Sequence, residues 1–191
     1  TVLRYPSGAR AHPSDMMMQP GSSLPLPRID LPLVSIMAQV GKPRGSGTLH
    51  VRSADPHQLP VIESRLLSDD GDRALAVEAM LRAYAIVQTA PMRALASHFW
   101  PRERVLRDRA RTHAWIVNAC DSGYHPCGTV PMGSETASDT DAATDERGQL
   151  RGVRGLTIAD ASLMPTIPST NIHLPTLMIA ERIGAWLRDA R

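Results

Sequence analysis

At 191 residues and 42% apolar content, the chain can bury a sizeable core in one domain, or in one domain and part of another. Its acidic and basic residues nearly balance at a net charge of +2, and aromatic residues make up 4%, which argues against nucleic-acid binding by charge or base stacking. Two cysteines, Cys120 and Cys127, do not make a disulfide framework and point to a reducing, cytoplasmic setting, and no apolar run reaches the ~20 residues of a transmembrane helix.

Residues 1–30 carry Pro6, Pro13, Pro20, Pro25 and Pro27 among Ser and Gly, and read as an irregular Pro-rich segment with little structure of its own. Met16-Met17-Met18 lies within it, flanked by Pro, Ser and Asp, and is no secretory core. A strand is expected after Pro32, over residues 33–40. A turn at Lys42–Gly47 follows, then the alternating Thr48-Leu49-His50-Val51-Arg52, which suits a half-buried strand. Leu59–Ile62 can add another short strand.

Asp69 or Asp70 can cap a helix over about 72–89, with Val77, Met80, Leu81 and Tyr84 on one apolar face. Pro101, followed by Glu103, starts a second helix running to about Asn118. Its Leu106, Ala110, Ala114 and Val117 are expected inward, and Arg102, Arg104, Arg107, Arg109 and Arg111 outward on a solvated or subunit-facing surface. Residues 133–151, with Asp139, Asp141, Asp145 and Glu146, read as a surface loop without the ligand alternation of a calcium site. Leu156–Ala159 reads as a short buried strand, and a last helix spans about Pro175 to Asp189. The seven histidines include no His-x-x-x-His pair, so no metal centre is expected.

The most specific signal lies between residues 125 and 181. His125-Pro126-Cys127-Gly128-Thr129-Val130-Pro131-Met132-Gly133 opens it, Leu156-Thr157-Ile158-Ala159-Asp160-Ala161-Ser162 continues it, and Pro168-Ser169-Thr170-Asn171-Ile172-His173-Leu174-Pro175-Thr176 closes it. This stretch resembles the C-terminal part of the glucose–methanol–choline (GMC) family of FAD-dependent oxidoreductases. Pro43-Arg44-Gly45-Ser46-Gly47-Thr48 is similar to a second element of that family, which leads into a strand of the substrate-domain sheet.

The resemblance implies an α+β fold: a mixed or antiparallel substrate-domain sheet with helices on one face, plus a C-terminal strand and helix that complete a Rossmann-like FAD domain. It divides the chain into the irregular segment 1–30, a substrate-binding domain over 31–150, and a strand and helix over 151–191 returning to the FAD domain. The implied reaction is oxidation of an alcohol, with loss of the hydroxyl proton and hydride transfer to flavin N5. A hydroxynitrile-lyase-like enzyme on the same scaffold, or an inactive truncated fragment, is the alternative.

By the same resemblance His125 is the catalytic base and Asn171 the second catalytic residue, while Asp160, Ala161, Ile172 and His173 lie at the cofactor. An imidazole of ordinary pKa near ~6.5 can accept a proton at neutral pH without already being charged, whereas an amide can only orient the substrate oxygen. His173 stands where the family often has Asn. It can face the flavin pyrimidine edge, act as a second acid–base group, or cap the last helix, whose N-terminus favours negative charge. Cys127 is expected to be a small buried hydrophobe. The sequence has no G-x-G-x-x-G turn of the kind that binds the ADP half of FAD. The expected partners are therefore a small-molecule alcohol and an N-terminal FAD-binding portion or subunit, and FAD should bind weakly or not at all to this chain alone.

Overall fold

The structure, a computed structural model, describes residues 2–21, 33–96, 98, 100–134 and 142–190. The chain divides into two compact units, Thr1–Ser46 with Arg65–Asp121, and Gly47–Ser64 with Ser122–Arg191. Both combine helices with a small antiparallel sheet or ladder.

In the first unit β1 (Leu3–Tyr5), β2 (Met16–Gly21) and β3 (Ser35–Val40) form an antiparallel sheet in that order, with Leu3 opposite Met18 and Met16 opposite Val40. This corrects the reading of residues 1–30 as irregular over its described part, up to residue 21; residues 22–30 lie outside the described residues. The partner that organises Met16–Met18 is β3, some twenty residues further along, and β2 tolerates Pro20 opposite Ile36. All three methionines are buried. Successive strand residues point to opposite faces, so β2 is covered on both.

Asp69 caps α1 (Asp70–Val87) by accepting the Asp72 N–H at 2.8 Å. Leu75 and Ala79 of α1 pack on Met16, with Tyr5, Ala38 and Val40 around them. Burying a leucine there contributes about 1.5–3 kcal/mol. The apolar face expected from the sequence is only partly the one buried. Leu75, Val77, Ala79 and Ala83 are buried, whereas Met80, Leu81 and Tyr84 are half-buried. The helix contacts both the sheet and α4 (Arg109–Ala119), so its buried positions do not follow a single stripe.

Two buried carboxylates fasten this unit. Asp72 accepts from Arg10 at 2.6 Å and from the backbone N–H groups of Arg44 and Gly45 at 2.8 Å each, and Arg10 also donates to the Lys42 carbonyl at 2.6 Å. Asp15 accepts the Ser7 N–H at 2.7 Å and the Ser7 hydroxyl at 2.6 Å. Burial on its own would raise the Asp15 pKa, but the two Ser7 donors, with Arg10 nearby, outweigh it and hold the carboxyl below the ordinary aspartate value.

The helix expected from Pro101 to Asn118 is two helices. Four-residue α3 (Glu103–Leu106) ends before Asp108, whose side chain caps α4 through the Arg111 N–H at 3.0 Å. A further short helix, α2 (Ala90–Leu95), precedes them. Arg102, Arg104, Arg107, Arg109 and Arg111 are exposed, as expected. Ala110, Ala114 and Val117 are exposed too, and the inward residues of α4 are Thr112 and Ile116. Thr112 can be buried because its hydroxyl donates to the Val105 and Asp108 carbonyls, both at 2.9 Å.

In the second unit β4 (Thr48–His50) pairs with β5 (Val61–Glu63). Leu156–Ala159 is no strand: Leu156 is exposed and a single bridge joins Thr157 to Gln149. Single bridges also join Met132 to Thr144 and Thr144 to Leu150. The loop expected over 133–151 is thus packed at its end, with Thr144 fully buried. Asp139 and Asp141 lie outside the described residues. Gly148 takes φ +76, and a side chain there would collide with the Ile158 carbonyl, so only glycine fits. The last helix, α5, spans His173–Asp189 and buries Ile183 near Leu163. Its Trp186 ring is approached by two guanidinium groups, Arg147 at 5.6 Å and Arg182 at 4.9 Å. No helix among the described residues is long and apolar enough to cross a membrane.

Candidate active site

Residues 128–132 run beside a one-turn 3₁₀ helix, Ala161–Leu163. The N–H groups of Gly128, Val130 and Met132 donate to the carbonyls of Ala161, Ser162 and Leu163 at 3.2, 3.0 and 2.9 Å. Gly128 has φ +78, and a Cβ there would come within 2.9 Å of the Met164 carbonyl oxygen, so glycine is required at this crossing. Asp160 caps the 3₁₀ turn by accepting the Ser162 N–H at 2.8 Å and the Ser162 hydroxyl.

On the other side of His125, Tyr124 adopts φ +58, a left-handed conformation unusual for a bulky residue. Its N–H donates to the Ser122 hydroxyl at 2.9 Å. His125 is therefore held between this tight turn and Pro126. The Ser-x-Tyr turn went unread in the sequence, although a serine two residues before an N–H is its ordinary signal.

Asn171 sits just before α5. The Ile172 carbonyl, which opens that helix, accepts both the N–H and the hydroxyl of Thr176, at 2.9 and 2.7 Å. This geometry brings together two side chains 46 positions apart: Asn171 Nδ2 lies 2.8 Å from His125 Nε2. With the amide so oriented, Nδ2 donates and Nε2 accepts, which leaves the ring proton on Nδ1. His125 is half-buried and Asn171 exposed. The pair is thus a proton acceptor and an amide donor meeting at one open point.

The other expected site residues are placed differently. His173 is the first residue of α5 and is exposed, and the cap position is the residue before it, so its side chain does not cap the helix. The cap position is Ile172, which has no side chain able to do so, and the first turn of α5 is left without a side-chain acceptor. Asp160 is exposed, and its side chain serves the Ser162 turn. Ala161 is half-buried and gives its carbonyl to Gly128. Cys127 is half-buried. No group of three or more metal-binding side chains gathers among the described residues.

A GMC oxidoreductase profile matches residues 43–180. The chain belongs to the GMC oxidoreductase family. Among curated GMC relatives it is 34% identical over 196 residues to the 5-(hydroxymethyl)furfural oxidase of Methylovorus sp., covering 95% of this chain and 35% of that protein. Over 148 residues it is 36% identical to human mitochondrial choline dehydrogenase, covering 75% of this chain and 24% of that enzyme. The chain thus spans about a third or less of the length of these relatives. Among solved structures, pyridoxine 4-oxidase from Mesorbium loti superimposes on 98% of the chain with a TM-score of 0.82 at 21% identity, covering 37% of that enzyme. Formate oxidase superimposes on 94% with a TM-score of 0.80 at 20% identity, covering 33% of that chain. These two likenesses show the fold, and GMC oxidoreductases as a family are FAD-dependent flavoproteins.

Proposed function

We propose that this chain provides the acid–base residues and part of the cofactor wall for FAD-dependent oxidation of an alcohol. It works with an FAD-binding portion on the same polypeptide or on another subunit. Residues 31–150 belong to the substrate side, and residues 151–191 return to a Rossmann-like FAD domain. The observation that carries the reading is the 2.8 Å meeting of His125 Nε2 and Asn171 Nδ2.

His125 accepts the hydroxyl proton of the substrate at Nε2 as the hydride leaves the same carbon. The imidazolium so formed stabilises charge developing on the oxygen. Asn171 now donates to the lone pair that the substrate hydroxyl must reach. Binding of an alcohol therefore exchanges the Asn171–His125 hydrogen bond for contacts from both residues to the substrate oxygen. FAD, when bound, supplies the acceptor for the hydride. Ile172 and His173, at the uncapped N-terminus of α5, suit its negatively charged edge, because a helix N-terminus carries roughly half a positive charge. The Asp160–Ala161 segment can approach the cofactor through its backbone, its carboxylate being engaged by Ser162.

The test is anaerobic addition of alcohols to the FAD-loaded protein that carries these residues, followed by flavin absorbance. 5-(Hydroxymethyl)furfural, choline and pyridoxine, suggested by the relatives, form the first panel. Bleaching by at least one alcohol, lost in His125→Ala, is expected. Cleavage of a cyanohydrin with the flavin remaining oxidised throughout would replace oxidation with lyase chemistry.

A further inference from the structure

The arginines of the first unit are not all accounted for by its fold. Two adjoining depressions, of about 260 and 210 Å³, lie on either side of Ala74 of α1 and share Arg109 as a wall. The first also has His113, and the second Arg44. The Arg44 and Arg109 side chains and His113 are exposed, and none has a carboxylate within ion-pair reach among the described residues. The two carboxylates on the rim, Asp70 and Glu78, are engaged by Arg73 and Arg82. The other arginines nearby are already paired: Arg10 with Asp72 at 2.6 Å and Asp69 at 3.9 Å, and Arg111 with Asp108, so that Arg44 and Arg109 are the unpaired cations among the described residues of the groove. The groove therefore carries uncompensated positive charge over a floor of small side chains.

We propose that this groove docks an acidic segment of a partner protein, seating one carboxylate in each depression with Arg109 between them. A liquid water occupies about 30 Å³, so each depression has room for a carboxylate side chain, and the pair together exceeds what one small anion fills. An extended segment sends alternate side chains to the same face about 7 Å apart, which presents two carboxylates at once. Guanidinium groups engage carboxylates in paired hydrogen bonds. Nucleic acid fits less well, because no Phe, Tyr or Trp is among the described residues that line the groove for base stacking. A membrane surface fits less well too, since Leu75 and Val77, the larger apolar residues of the lining, are buried.

The experiment uses the full chain and a fluorescein-labelled peptide of alternating glutamate and alanine, read by anisotropy. A glutamine–alanine peptide, a single-stranded oligonucleotide and phosphatidylserine vesicles are the comparisons. The acidic peptide should bind and weaken as salt rises, with Arg109→Gln weakening it about tenfold, the equivalent of ~1.4 kcal/mol. Arg104→Gln removes the same charge from an exposed site outside the groove and should change binding less than twofold. Circular dichroism should match across the variants, because both arginines are exposed. Equal binding of the glutamine peptide, equal loss in Arg104→Gln, or preference for the oligonucleotide or the vesicles overturns the proposal.

Discussion

The two units of the chain use their polar residues in opposite ways. In the first, whose buried apolar residues include Met16–Met18, Leu75 and Ile116, Asp15 and Asp72 are removed from water and engaged in holding loops and strands together. In the second, His125, Asn171, Asp160 and His173 lie partly or fully in the open, and the buried apolar residues among those described are Leu163, Met164 and Ile183. The same unit exposes Leu59, Ile62, Leu174 and Met178. One unit buries two carboxylates where they fix geometry. The other keeps the groups proposed for catalysis accessible.

Substitutions in each unit should separate these roles. The largest effect is expected at His125: His125→Ala should slow flavin reduction by a factor on the order of 10²–10⁴ in rapid-reaction kinetics, with unchanged thermal unfolding. If the loss is matched by a fall in stability, the open site is also a structural element and the comparison fails. Asp72→Ala should do the reverse. It leaves the half-buried Arg10 with only Asp69 at 3.9 Å and the Lys42 carbonyl, takes the acceptor from the Arg44 and Gly45 N–H groups, and should cost about 3 kcal/mol in denaturant unfolding.

Ser7→Ala should be milder, removing a charge-assisted hydrogen bond of about 1.5–3 kcal/mol. Because the folded pKa of Asp15 is lowered, its contribution is complete above the unfolded aspartate value of ~3.9 and is lost as pH falls through the folded value. The stability gap between wild type and Ser7→Ala should therefore be constant at neutral pH and close below about pH 4. A gap that persists into acid would show that the Ser7 hydroxyl acts independently of the Asp15 charge. Asn171→Ala should have the smallest effect, slowing flavin reduction about tenfold, since one orienting hydrogen bond is lost while the base remains.

What the sequence disclosed divides along the same physical lines. The Asp69 cap of α1 was legible because capping involves residues three apart. The placing of Met16–Met18 in a strand was not, since it depends on pairing with Ser35–Val40 and on packing against Leu75 and Ala79. On α4 the outward arginines were legible by their spacing. The burial of Thr112 in place of Ala110 and Ala114 was not, because it rests on bonds back across the break at Asp108. His125 and Asn171 could be picked out as a pair from matched residues, but their separation is a property of the turn at Tyr124 and the start of α5. Asp160 shows the converse, a matched residue whose side chain is occupied in local bonding to Ser162.

The interleaving of the two units bears on how the chain is made. The hairpin within Gly47–Ser64 groups with residues 122–191, so it leaves the ribosome well before the segment it belongs with. At translation rates of about 5–20 residues per second, the wait is on the order of ten seconds. Throughout it the hairpin is without the residues it groups with, while the first unit, complete at Asp121, can already close. Slowing synthesis after residue 121 should accordingly lengthen the interval in which the hairpin is unpartnered, without disturbing the sheet that carries Met16–Met18.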